Sequence, residues 1–150
     1  MIQLFTELQE KKNVRSNLSA LRASLKEATE EQKAQAIEFV RGHEDLVFGF
    51  LQEEDAKTRK NAALLLGDLA VQNALQPLWK AYTREQTLFV KSAYLEAMKA
   101  LHAEEILSQL KDRLAELEGE PVTEENRKHR EAELRALRAL SLIHISEPTR

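Results

Sequence analysis

Glu54-Asp55-Ala56-Lys57-Thr58-Arg59-Lys60-Asn61-Ala62-Ala63-Leu64-Leu65-Leu66-Gly67-Asp68-Leu69 decides how this chain reads. An acidic residue precedes a run of good helix formers, and leucines recur at helical spacing beside small residues. The stretch predicts a short turn and then a helix over 57–70, capped by Asp55 through its side-chain oxygen. A helix over about 45–52 precedes it, carrying Leu46, Val47, Phe50 and Leu51.

Working outward, the same unit recurs. Leu46, Leu78 and Leu110 lie 32 residues apart, and Phe50, Tyr82 and Leu114 keep that offset. So do the second-helix pairs Thr58/Val90, Arg59/Lys91, Ala62/Tyr94, Leu66/Met98 and Leu69/Leu101. Two periodic helices at a fixed offset describe a helical hairpin stacked on its copies, because one hairpin cannot bury its apolar face alone. After Leu117 the register loosens. A longer loop over 118–122 leads to Thr123, the expected cap of a last helix with Glu124 and Glu125 in its first turn. That helix offers Leu134 and Leu137 where the spacing calls for an apolar residue at 133, and it reads as a capping helix or as the lead into a further part.

Toward the N-terminus, Ile2, Leu4, Phe5 and Leu8 form one helical stripe and Val14, Leu18, Leu21 and Leu25 the next, with Asn13 as the expected N-cap. Thr29 and Gln32 make a capping-box pattern ahead of a helix carrying Ala36, Ile37, Phe39 and Val40, expected to stop at Gly42 as its C′ residue. This helix is surplus to the repeat.

Composition agrees with an all-helical chain. Of 150 residues 43% are hydrophobic and 31% charged, with only 4 Gly and 3 Pro to interrupt helices. A formal net charge of -3 gives no global pull toward nucleic acid or acidic membranes. The absence of Cys excludes disulfides, thiolate nucleophiles and Cys-based zinc sites. No apolar run approaches the roughly 20 residues that span a bilayer. The first residues show neither a basic region nor an apolar core of a signal peptide. The expected location is therefore the cytoplasm, with no membrane association.

Catalytic chemistry finds little purchase. The four glycines are isolated, so no phosphate-cradling loop exists. His43-Glu44-Asp45 and His102-x-Glu104-Glu105 could be imagined as metal or acid–base sites, and His129 stands without a second His at ligand spacing. Clusters of this kind usually sit at helix ends as solvated charges. Tyr82 and Tyr94 fall on core positions of the repeat, whereas Trp79, equivalent to Val47 and Lys111, is expected to be partly exposed. The expectation is no catalytic residue, no metal and no cofactor.

Asp55, Thr58-Arg59, Ala62-Ala63 and Leu66-Gly67-Asp68-Leu69 resemble the second helix of HEAT repeats, especially the bacterial type named after phycobilisome lyases, with Thr58 replacing the usual Val. Val90-Lys91, Ala97-Met98 and Leu101 resemble a further copy without its Asp and Gly, and Val14-Arg15, Leu18, Leu21 and Leu25 a degenerate one. The likeness covers 46–117 well and 1–26 loosely. It implies an all-α fold, a right-handed α-solenoid of antiparallel helical hairpins, with about three units plus one inserted helix. Its divisions would be N-terminal helices over 1–44, repeats over 45–139 and a tail over 140–150. It also implies close packing at the hairpin through Gly67 and a charge ladder built from Asp55, Arg59 and Lys91.

The tail has a resemblance of its own. Leu140-Ser141-Leu142-Ile143-His144-Ile145-Ser146-Glu147-Pro148-Thr149-Arg150 resembles the translated read-through of a sequencing-library adapter. It implies a native sequence ending at about Ala139, a fragment of a longer bacterial protein, and poor packing beyond Leu140.

Such families are mostly binding surfaces. The leading expectation is a non-enzymatic scaffold module for a protein or peptide partner. The alternative is the regulatory or substrate-recruiting front of a larger enzyme, such as an RNA methyltransferase, nucleic acid then being reached only through a missing domain. A stand-alone bilin lyase or DNA glycosylase lacks the residues for its chemistry. In a stack of hairpins the second helices line the concave side. At 100° per residue, Lys57, Lys60, Asn61 and Leu64 in one unit, and Ser92, Ala93, Glu96 and Lys99 in the next, point away from the core. This face reads either as a mixed-charge partner groove or as a plain solvated surface.

Overall fold

The computed structural model describes residues 2–101 and 106–145, the last six by backbone alone. Among them every regular element is helical, and no helix is long and apolar enough to cross a membrane. The helices are α1 (Ile2–Gln9), α2 (Val14–Leu25), α3 (Glu30–Gly42), α4 (Glu44–Gly49), α5 (Ala56–Asp68), α6 (Leu75–Arg84), α7 (Leu88–Lys99), α8 (Leu107–Gly119) and α9 (Arg127–Ile145). Short 3-10 turns at Phe50–Gln52 and Gln72–Ala74 extend α4 and lead into α6.

Helices α2, α5, α7 and α9 form an inner row, each packed on the next. A second layer backs them: α1 lies on α2, the turn after α4 on α5, α6 on α7, and α8 on α9. There are thus four such pairs among the described residues, one more than the sequence spacing counts. The long 118–122 loop shifts α9 out of the 32-residue register without removing it from the row. Helix α3 is the surplus element, held against α4 and stacked through Phe39 on Phe5 with ring centroids 4.5 Å apart. The buried residues form one cluster running from Leu8 to Leu137. The repeat positions Thr58, Ala62, Leu66, Leu69, Val90, Tyr94, Met98 and Leu101 are all buried, because the inner helices meet neighbours on both flanks.

Local chemistry sets the helix ends. Asp55 Oδ2 accepts from the Thr58 N–H at 2.9 Å and from Thr58 Oγ1 at 2.8 Å, so α5 starts where the sequence places it. It ends in a Schellman motif on a non-glycine residue: Ala70 adopts φ 51, its N–H donates to Gly67 O and that of Val71 to Leu66 O, both at 3.0 Å. Thr29 and Gln32 exchange both capping-box bonds at 3.0 and 3.1 Å. Thr123 and Asn126 do the same at 2.9 and 3.2 Å, leaving Glu124 and Glu125 in the capping turn and starting α9 at Arg127.

Four expectations are corrected. Asn13 sits at the N-cap position of α2 but in the left-handed region (φ 45, ψ 46), with no side-chain capping bond. The tight reversal after α1 imposes this, and Asn17 ties the turn instead, donating to Lys12 O at 2.8 Å and to Glu7 Oε1 at 3.1 Å. Gly42 stays helical, because α4 follows at once. His43 is the joint between the two helices, its Nδ1 2.8 Å from Phe39 O. Trp79 is buried at 6% exposure, stacked on Tyr82 with centroids 5.2 Å apart. Gly67 does allow a close approach, but to the next inner helix rather than within its hairpin: a Cβ there would lie 2.9 Å from Ala97 Cα.

The His102, Glu104 and Glu105 cluster, expected to be solvated charges at a helix end, lies outside the described residues. So does the packing of the 140–150 tail, of which the structure gives only helical backbone as far as Ile145.

Candidate functional site

Three features qualify: the free face of the inner row, the polar locks between its helices, and a groove in the outer layer.

On the free face, Lys57 of α5 and Ser92, Glu96 and Lys99 of α7 are exposed, while Lys60 and Leu64 are half-buried. Asn61 at 7% and Ala93 at 4% are buried, contrary to expectation. Neighbours on both flanks cover a wider arc of each helix than amphipathic counting allows. The sequence reading missed Phe89. It lies three residues before Ser92 and seven before Glu96, hence on their stripe, and remains 48% exposed. Its signal was an aromatic residue at the 32-residue equivalent of Lys57.

The locks tie each inner helix to the following unit. Arg15 Nη1 meets Asp55 Oδ1 at 3.3 Å. Arg59 goes not to Asp55 but to Glu85, with Nε and Nη2 each 2.9 Å from a carboxylate oxygen, while its Nη1 donates to the carbonyls of Glu53 and Glu54 at 2.8 Å each. Nearly all donors of Arg59 are thereby committed within the chain. Burial works to raise Glu85, but the bonds from Arg59, the Thr87 N–H and Tyr94 together hold its carboxyl below 4.5. Burial, reinforced by Glu85, pushes Tyr94 up.

Lys91 Nζ meets Glu133 Oε1 at 3.3 Å. Tyr82 Oη also donates to Glu133, Arg113 Nε lies 3.2 Å from it, and His129 Nε2 lies 3.8 Å away. The Glu133 side chain is only 2% exposed. Burial pushes its carboxyl up to about 7, against the pull of two adjacent cations. Burial, with Arg113 beside it, lowers Lys91; burial with Lys91 and Arg113 lowers His129. Glu85 and Glu133 were not read from the sequence. Glu85 precedes by two residues the position equivalent to Asp55, and Glu133 occupies the position where the spacing calls for an apolar residue. A glutamate at an expected core position was the available signal.

The groove lies between the turn after α4 and helix α6, with a volume of about 820 Å³. Phe48, Leu51, Pro77 and Ala81 supply apolar lining, Lys80 and Arg84 line it from α6, and the Arg59–Glu85 pair lines it as well. In the His43-Glu44-Asp45 cluster, His43 Nε2 contacts Gln9 at 2.6 Å and Glu44 accepts from Asn73 at 3.0 Å. Among the described residues no group of His, Asp or Glu is arranged to hold a metal ion.

Compared with protein-family models, with curated proteins and with solved structures, the chain matches none. The HEAT resemblance rests on the quoted residues alone.

Proposed function

We propose that the chain is a HEAT-type α-solenoid serving as a protein-interaction module, which captures a protein or peptide partner on the free face of its inner row. The observation that carries this reading is the ladder Arg15–Asp55, Arg59–Glu85, Lys91–Glu133, in which α2, α5 and α7 each send a cation to an acid of the following unit. Repetition of one contact along a row is how stacked hairpins hold their register. On the face itself, Phe89 supplies an exposed aromatic anchor amid Lys57, Lys60, Ser92, Glu96 and Lys99. Aromatic anchors surrounded by polar groups dominate protein interfaces. A phosphate backbone would call for a continuous basic track, which Glu96 interrupts.

The test is affinity capture with wild type, Phe89→Ala and the double variant Lys60→Glu with Glu96→Lys. Both variants should keep the far-ultraviolet circular dichroism of wild type, the double variant within about 0.5 kcal/mol of its stability, and both should lose partners that wild type retains. Recovery of the same partners by the folded variants removes the site from this face.

A further inference from the structure

The outer groove plays no part in the reading above. Lys80 and Arg84 stand one helical turn apart on its α6 side, exposed and without an ion-pair partner among the described residues. The Arg59–Glu85 pair is mutually neutralised, and Glu53 and Glu54, whose carbonyls accept from Arg59, add negative charge to the lining. The lining therefore mixes apolar side chains with polar ones such as Gln52 and Gln76, with Lys80 and Arg84 on the α6 side and Glu53 and Glu54 beside Arg59.

We propose that this groove docks a short amphipathic helix whose apolar stripe meets Phe48, Leu51, Pro77 and Ala81 and whose flank toward α6 carries two acids four residues apart. The spacing follows from Lys80 and Arg84, since side chains four apart on a helix project one above the other. A volume of about 820 Å³ accommodates the side chains of a turn or two, as in helix-in-groove recognition. Glu53 and Glu54 disfavour a phosphate backbone in the same groove. Charge complementarity of this kind selects among partners more than it adds raw affinity.

Fluorescence anisotropy with the full chain tests the proposal. The probe is a synthetic helix of about four turns with a leucine stripe and two Glu, four residues apart, on one flank. A second peptide carries Lys at those two positions, and a third has Gln in place of the leucines. The acidic peptide should bind saturably, and the other two should bind at least about tenfold more weakly. Lys80→Glu with Arg84→Glu should reverse the preference between the acidic and basic peptides. Lys80→Gln with Arg84→Gln should equalise them, which keeps the test valid if charge reversal disturbs folding. The Lys60→Glu, Glu96→Lys variant should bind all three as wild type does, so failure on the inner face and failure in the groove are separable. Equal binding of acidic and basic peptides to wild type, no saturable binding of the acidic one, or an unchanged order in the folded reversal variant overturns the proposal.

Discussion

Gly67 of α5 and Ala97 of α7 pack backbone to backbone: a Cβ built on Gly67 would lie 2.9 Å from Ala97 Cα and 3.2 Å from its Cβ. Gly67→Ala gains about 1 kcal/mol of helix propensity but must push two inner helices apart, an overpacking that costs about 1–3 kcal/mol. The variant should be less stable than wild type by chemical denaturation. Adding Ala97→Gly should recover only part of the loss, since the closest contact is to backbone.

The Arg59–Glu85 lock is asymmetric in what its removal exposes. Arg59→Ala leaves a carboxylate of 5% exposure without its cation, and should cost about 3–5 kcal/mol. Arg59→Lys should fall between, because an ammonium cannot grip both carboxylate oxygens and both carbonyls at once. Replacing Arg59 and Glu85 together by Met should restore most of the stability, measured by urea midpoints.

Glu133 gives the fold a pH dependence of defined sign. Burial raises its carboxyl from 4.5 to about 7, so the folded chain binds this proton more tightly than the unfolded chain does. The resulting stability is complete below the unfolded value and is lost as pH rises through the folded one. Relative to Glu133→Gln, wild type should lose stability between those two values and stay level above them. Urea titrations of both proteins across the window check this. A gain with rising pH would show that Lys91 and Arg113 outweigh burial.

Ala70 holds the left-handed position after α5 at φ 51. That conformation costs a non-glycine residue roughly 1–2 kcal/mol, partly offset by the greater freedom of glycine in the unfolded chain, about 0.4–1 kcal/mol. Ala70→Gly should therefore raise stability by up to about 1 kcal/mol, visible as a higher melting temperature.

By itself the sequence determined the helices and the repeated core positions, though not the burial of Asn61, Trp79 and Ala93. Helix periodicity and capping depend on neighbours three or four residues away, so Asp55 with Thr58, Thr29 with Gln32, and the buried series Ala62, Leu66, Val90, Tyr94 and Met98 were all legible. The fourth pair was hidden because an irregular loop broke the spacing that made the others visible. Tertiary structure alone decided which charges meet. Arg59 was recognisable as a candidate for ion pairing, but its choice of Glu85 over Asp55 depends on how α5 packs beside the α6–α7 connection. The burial of Glu133 among Tyr82, Lys91 and Arg113 draws on residues from four helices. The groove lined by Phe48, Lys80 and Arg84 likewise exists only once α6 lies beside the turn after α4. Contacts between elements distant in sequence leave no periodic mark on the chain, because their partners are chosen by packing rather than by local spacing.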